Sequence, residues 1–134
     1  MPEWQSRMTL QERLKTVLDG IVPVTEEDDG ALTVQHDGTL ASLRVVNISE
    51  GLELISLSQI LAWDVPMDRR VRTKIAEHAR NTMLGTVTLI EKKRIGEVLL
   101  RYNFPGAGLT DDALLTLILL VLSTGADVRR GLTE

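Results

Sequence analysis

The segment ALTVQHDGTLASLRVVNISEGLELISL, residues 31–57, gives the strongest indication of the fold. Apolar and polar residues alternate over residues 32–36, which is the spacing of a β-strand that buries one face. The next strand, residues 40–48, carries apolar residues on both faces: Ala41, Leu43 and Val45 on one, and Leu40, Val46 and Ile48 on the other. Asp37-Gly38 and Glu50-Gly51 interrupt the alternation, and Asp-Gly is a preferred two-residue hairpin turn. The segment therefore predicts an antiparallel meander of three strands, the third of which continues towards Ile60 or Trp63.

A helix is predicted on each side of this meander. Thr9-Leu10-Gln11-Glu12 forms a capping box, in which the Thr9 hydroxyl and the Glu12 carboxylate can each accept a hydrogen bond from a backbone amide. It predicts a helix over about residues 10–19. After Pro66, Asp68 occupies an N-cap position, and apolar residues at helical spacing predict a second helix over about residues 69–84.

The second predicted helix has a basic face, formed by Arg69, Arg70, Arg72, Lys74 and Arg80. Such a face could contact an acidic partner or a nucleic acid. No aromatic residues are interleaved with these cations and the chain as a whole is acidic, so a solvated face is the favoured interpretation.

Two more strands and a last helix complete the pattern. Residues 86–90 and 98–104 predict a hairpin whose tip is the charged run 91–94, and Thr110 with two aspartates caps a helix from Ala113 to about Thr124. That helix is apolar on nearly every side, so it has to be covered on more than one side. One side can lie on the sheet, and the remainder would be exposed unless the first helix or another molecule covers it. Contact with another molecule is favoured over the alternative that the first helix and the sheet suffice.

The resulting element order is α-β-β-β-α-β-β-α, an α+β domain with one five-stranded antiparallel sheet packed against helices. The 134 residues are expected to form a single domain, with an ordered core at about residues 9–125. Residues 1–8 and 127–134 are expected to be flexible.

Composition excludes several classes of protein. The chain has no cysteine, so disulfide scaffolds and thiolate metal sites are excluded. Its net charge of −4 argues against a nucleic-acid partner. The longest apolar stretch, residues 113–122, is about half the length that crosses a bilayer, so no membrane partner is expected. With no apolar leader visible, a cytoplasmic location is predicted.

No catalytic, cofactor-binding or metal-binding motif is found. His36 lies beside Asp37 in a turn, and His78 lies beside Glu77 without the HExxH spacing of zinc proteases. The serines lack a GxSxG elbow, and Gly106 and Gly108 lack the third glycine of a dinucleotide fingerprint. The chain is therefore predicted not to be an enzyme, and no cofactor or metal is predicted. An active site assembled across several elements is the remaining, less favoured alternative.

The order of elements resembles the YbjN-like bacterial domain family, whose fold is that of type III secretion chaperones. The resemblance is carried by Asn81 near the end of an amphipathic helix, by Gly85, and by Phe104-Pro105-Gly106-Ala107-Gly108-Leu109-Thr110-Asp111 before the apolar helix. Members of this family are described as proposed sensory-transduction regulators or chaperone-like proteins. The secretion chaperones of this fold are dimers that hold an extended stretch of a partner chain, so the resemblance implies a similar role.

These observations predict a non-catalytic, chaperone-like interaction module that forms a homodimer and binds another polypeptide. The predicted contact residues are Leu115, Leu119, Leu122 and Trp63, and helix 69–84 is a second candidate surface. The alternatives are a sensory-transduction regulator or a small-molecule-binding domain.

Overall fold

The computed structural model describes residues 8–133 of the chain. Within them the elements, in chain order, are α1 (Leu10–Leu18), β1 (Val24–Glu26), β2 (Leu32–His36), β3 (Thr39–Ser49), β4 (Leu52–Pro66), α2 (Arg69–Asn81), β5 (Thr86–Lys92), β6 (Ile95–Pro105) and α3 (Asp111–Thr133). The predicted caps are present, since Thr9 and Asp68 accept hydrogen bonds from the Glu12 and Val71 amides.

The sheet has six strands in the order β1-β2-β3-β4-β6-β5, and every neighbouring pair is antiparallel. The prediction of five strands was therefore wrong by one. The additional strand, β1, contains only Val24–Glu26 and pairs with β2. Three residues are too few to show a period of two, and the acidic run 26–29 with Gly30, which follows, is typical of a turn.

The helices cover one face of the sheet and leave the other face exposed. On β4, the fully buried residues Ile55, Leu57 and Leu61 alternate with half-buried residues of the opposite face. The covered face contacts α3 at β2, β3 and β4, and α2 lies against β5. The fold is therefore a two-layer α+β domain with a one-sided hydrophobic core.

The long helix α3 is covered mainly by its own chain. It contacts the sheet and both other helices, and Leu114, Ile118 and Val121 are fully buried. Leu120 is the large apolar side chain of α3 that stays mostly exposed, at 52%. The sheet and the other helices of the chain thus cover most of this helix, which is the alternative that the sequence favoured less.

α3 also extends to Thr133, beyond the end predicted near Thr124. Residues 127–133, for which the sequence suggested a flexible tail, form its last turns, while the other predicted flexible segment falls almost wholly outside the described residues. Glycine commonly ends a helix, but Gly125 lies in the interior of α3.

Gly125 is explained by packing rather than by a turn. A Cβ at this position would overlap the side-chain amide of Gln59, which is fully buried on the covered face of β4. Gln59 Nε2 donates to Thr39 Oγ1 at 2.8 Å and to the Leu122 carbonyl at 3.1 Å, while its Oε1 has no hydrogen-bond partner among the described residues. The glycine therefore makes room for a buried polar group that connects β3, β4 and α3.

The tip of the β2–β3 hairpin is fixed by the end of α3. Arg129 Nη1 donates to the Leu61 carbonyl at 2.7 Å, and its guanidinium lies against Gly38. Arg130 Nη1 lies 3.4 Å from Asp37 Oδ2. These contacts hold the hairpin tip and β4 against the end of α3.

Candidate functional site

Trp63 is exposed because the pairing of β4 with β6 is irregular. The register shifts twice, between Ile60 and Ala62 and again between Ala62 and Val65. Asp64, with a φ of 55°, adopts the left-handed conformation at the second shift. Bulges of this kind redirect side chains, and Trp63 is left 54% exposed at the end of the sheet.

An open surface cavity of about 740 Å³ lies beside this ring, and we refer to it as the Trp63 hollow. It is formed by the loop after α1, the β2–β3 hairpin, β4 and the middle of α3. Its apolar lining consists of Ile21, Val22, Pro23, Leu40, Trp63 and Leu119, and its polar lining of Gln35, His36, Asp37, Gly38 and Thr39.

The predicted contact residues are separated by the structure into two groups. Trp63 and Leu119, which are far apart in sequence, line the hollow together. Leu115 is half-buried against the core, and Leu122 is fully buried within it. Leu122 is therefore not on the surface for which it was predicted.

Four apolar residues of the hollow were not predicted as contact residues: Ile21, Val22, Pro23 and Leu40. Ile21 follows Leu14 and Leu18 at helical spacing in the sequence, but α1 ends at Leu18 and Ile21 is exposed in the loop that follows. Leu40 lies on the uncovered face of β3. Apolar residues on both faces of this strand were visible in the sequence, and they were the available signal for a second apolar surface.

Two polar side chains of the hollow, Thr39 and Asp37, have partners within the chain. Thr39 Oγ1 donates to the His36 carbonyl at 2.5 Å, and Asp37 interacts with Arg130. His36 Nε2 lies 3.9 Å from Asp37 Oδ2. At this distance the His36 and Asp37 side chains are not hydrogen-bonded to each other, and the larger part of the lining offers apolar contact.

His78 lies elsewhere, on α2, where its ring packs against Gly131 of α3. The two histidines therefore belong to different surfaces. Across residues 8–133 there is no group of three or more His, Asp or Glu side chains that could hold a metal ion. In the same residues no helix is long and apolar enough to cross a membrane.

A second cavity, of about 520 Å³, lies on the other side of Trp63. It is lined by Trp63, Asp64, Ile90, Lys92, Lys93, Ile95, Gly96 and Glu97, from the end of β4 and the β5–β6 hairpin.

The basic face of α2 reaches this hairpin through an ion pair. Arg72 Nη2 donates to Glu91 Oε1, and this contact raises the pKa of Arg72 and lowers the pKa of Glu91. The pair joins the start of α2 to the end of β5, so part of the predicted basic surface is used within the fold.

Comparison with known proteins identifies the fold. No protein-family model matches the chain, and no curated protein matches it. The crystal structure of YbjN, described as a proposed transcription regulator from E. coli, superimposes with a TM-score of 0.68. It is 14% identical, and the match covers 90% of this chain and 88% of that one. The fold is therefore YbjN-like, as the resemblance in sequence implied.

Proposed function

We propose that this protein is a non-catalytic interaction module that binds an apolar segment of another polypeptide in the Trp63 hollow. The observation that carries the proposal is the cluster of exposed Trp63 and Ile21 with half-buried Leu119 around one concavity. A large aromatic side chain in a recess is the usual anchor of a protein interface. The lack of cysteine suits action in the cytoplasm.

A small-molecule-binding regulator is the second candidate, because the volume of about 740 Å³ lies within the range of ligand pockets. Such sites bury most of the ligand and orient it with free polar groups. This hollow is open, and its Thr39 hydroxyl and Asp37 carboxylate already have partners in the chain. A polypeptide segment, which needs less enclosure, therefore fits better. The description of YbjN as a proposed regulator is compatible with an activity exerted through protein contacts.

Trp63 provides the test of this proposal. In a Trp4→Phe background it is the single tryptophan, and its exposed ring should emit at long wavelength. Titration with a short neutral peptide of alternating leucine and glutamine should shift this emission to shorter wavelength as the ring is buried. A peptide with serine in place of leucine is the control. Emission that is unchanged at millimolar leucine peptide would contradict the proposal.

We also propose that the module is a homodimer. A second group of exposed apolar residues lies at the far end of the β3–β4 hairpin, away from the hollow: Val46, Ile48 and Leu52. Self-association is a common way for a small protein to cover such a surface, and a second copy seated there would leave the Trp63 hollow open.

The variant Ile48→Glu is expected to convert this dimer to a monomer, because a charge would be placed in a desolvated interface. Sedimentation velocity at micromolar concentration measures the change. Met83→Glu is the control, since Met83 is 93% exposed and lies on another surface. A wild-type protein that sediments as a monomer would refute the dimer without affecting the proposal for the hollow.

A further inference from the structure

The charge of this acidic protein is unevenly distributed. Although the whole chain carries −4, residues 69–101 contain nine Lys and Arg but only three Asp and Glu. These residues form α2, β5 and β6, so the β5 side of the sheet is basic while the β1 side carries the acidic run 26–29. The second cavity beside Trp63 lies on the basic side.

The turn between β5 and β6 holds cations in an unfavourable backbone conformation. Lys93 and Arg94 have φ values of 48° and 69°, both in the left-handed region. Hairpin turns of this kind favour Asn-Gly, and the β2–β3 hairpin of this protein uses Asp37-Gly38. Backbone strain of this type persists where the side chains serve a purpose other than stability.

The cations of this turn are available to a partner. Lys92, Lys93 and Arg94 form no ion pair with any residue in the described part of the chain, whereas Arg72 beside them is paired with Glu91. Exposed Ile90 and Ile95 lie in the same cavity as two of these cations. Unpaired positive charge and apolar surface therefore occur side by side.

We propose that this basic corner, defined as Lys92, Lys93 and Arg94 around the second cavity, binds an acidic stretch of the polypeptide whose apolar segment enters the Trp63 hollow. The inference rests on the proposed function, and Trp63 belongs to both cavities. An acidic partner carrying apolar residues would place carboxylates at the turn and an apolar side chain against Ile90 and Ile95.

Charge complementarity argues for this occupant over two others. A second copy of the chain would offer its run 26–29, but three of the four carboxylates of that run already interact with Arg44, Lys15 and Thr33. A nucleic acid carries a charge at every phosphate, and the cavity also contains Asp64 and Glu97. A peptide can place an uncharged residue beside those two carboxylates.

The test uses the double variant Lys93→Asn/Arg94→Gly in the Trp4→Phe background. We expect its thermal midpoint to rise by a few degrees, because the new turn residues suit the left-handed conformation. Its affinity for a short peptide of alternating leucine and glutamate should fall about three- to tenfold, as expected for the loss of two exposed ion pairs. Affinity for the neutral leucine–glutamine peptide should not change. Arg80→Gln, which removes an exposed cation at the other end of α2, is the control.

Each other outcome overturns the inference in a recognisable way. If the wild-type protein binds the neutral peptide and its affinity for the acidic peptide is no higher, the inference fails and the proposed function stands. If neither peptide binds, both fail. If a single-stranded oligonucleotide binds more tightly than the acidic peptide and loses affinity in the double variant, the corner is a nucleic-acid site instead.

Discussion

Replacing Gly125 with alanine is expected to lower the free energy of unfolding by about 2–4 kcal/mol, even though alanine in a helix normally stabilises by about 1 kcal/mol. The added Cβ would overlap the Gln59 side-chain amide. Gln59 cannot move aside without breaking its hydrogen bonds to Thr39 and Leu122 inside the core. Urea denaturation followed by circular dichroism measures the loss.

Two controls make this result specific. Gly108→Ala should be nearly neutral, because its Cβ would meet no atom within 4 Å. In the double variant Gly125→Ala/Gln59→Ala, the shortened side chain leaves room for the new methyl group. This combination should be more stable than the sum of the single effects by at least about 1 kcal/mol. A Gly125→Ala protein as stable as the wild type would show that the amide is not confined as described.

Replacing Leu119 with glutamate is expected to weaken binding of the neutral leucine peptide at least about tenfold, since it places a charge in the apolar lining of the hollow. Leu119 is only half-buried, so the protein should remain folded. The measurement is the Trp63 emission titration, with circular dichroism as a check of folding.

Leu120→Glu is the matched control for this variant. Leu120 is the neighbouring leucine on α3 and is more exposed, but it does not line the hollow. An equal loss of peptide affinity in the two variants would indicate that the outer surface of α3, and not the hollow, contacts the peptide. Unchanged peptide affinity in the Leu119→Glu variant would show that Leu119 is not part of the binding site.

The sequence was most informative where local chemistry determines structure. Asp37-Gly38 and the period of two predicted the meander, and the capping residues Thr9 and Asp68 predicted two helix starts. It failed at β1, which is formed by pairing with β2 rather than by its own pattern. The predicted end of α3 was also wrong. Gly125 is required there by packing against the buried Gln59 amide of a distant strand, and it does not end the helix.

The candidate site was only partly predictable for a related reason. The excess of leucine in α3 was correctly noticed, but sequence spacing could not show that α1 and α2 both pack against this helix. Trp63 and Leu119 were predicted as contact residues, yet their meeting in one cavity depends on the two register shifts of β4. Ile21 joins them because α1 ends early.

The likeness to YbjN defines the fold and leaves the partner to be found by experiment, since proteins of one fold carry many functions. The features that support an interaction role belong to this chain: an exposed tryptophan between two cavities, and cations in a strained turn. If one partner occupied both cavities, its apolar and acidic parts would lie on opposite sides of Trp63.

The most direct measurement is an NMR titration of ¹⁵N-labelled protein with the neutral leucine peptide. We expect the amide shifts to concentrate in the loop 21–23, the hairpin tip 35–40, and around Trp63 and Leu119. Shifts confined to the β3–β4 hairpin end at 46–52, or no shifts at millimolar peptide, would contradict the assignment of polypeptide binding to the Trp63 hollow.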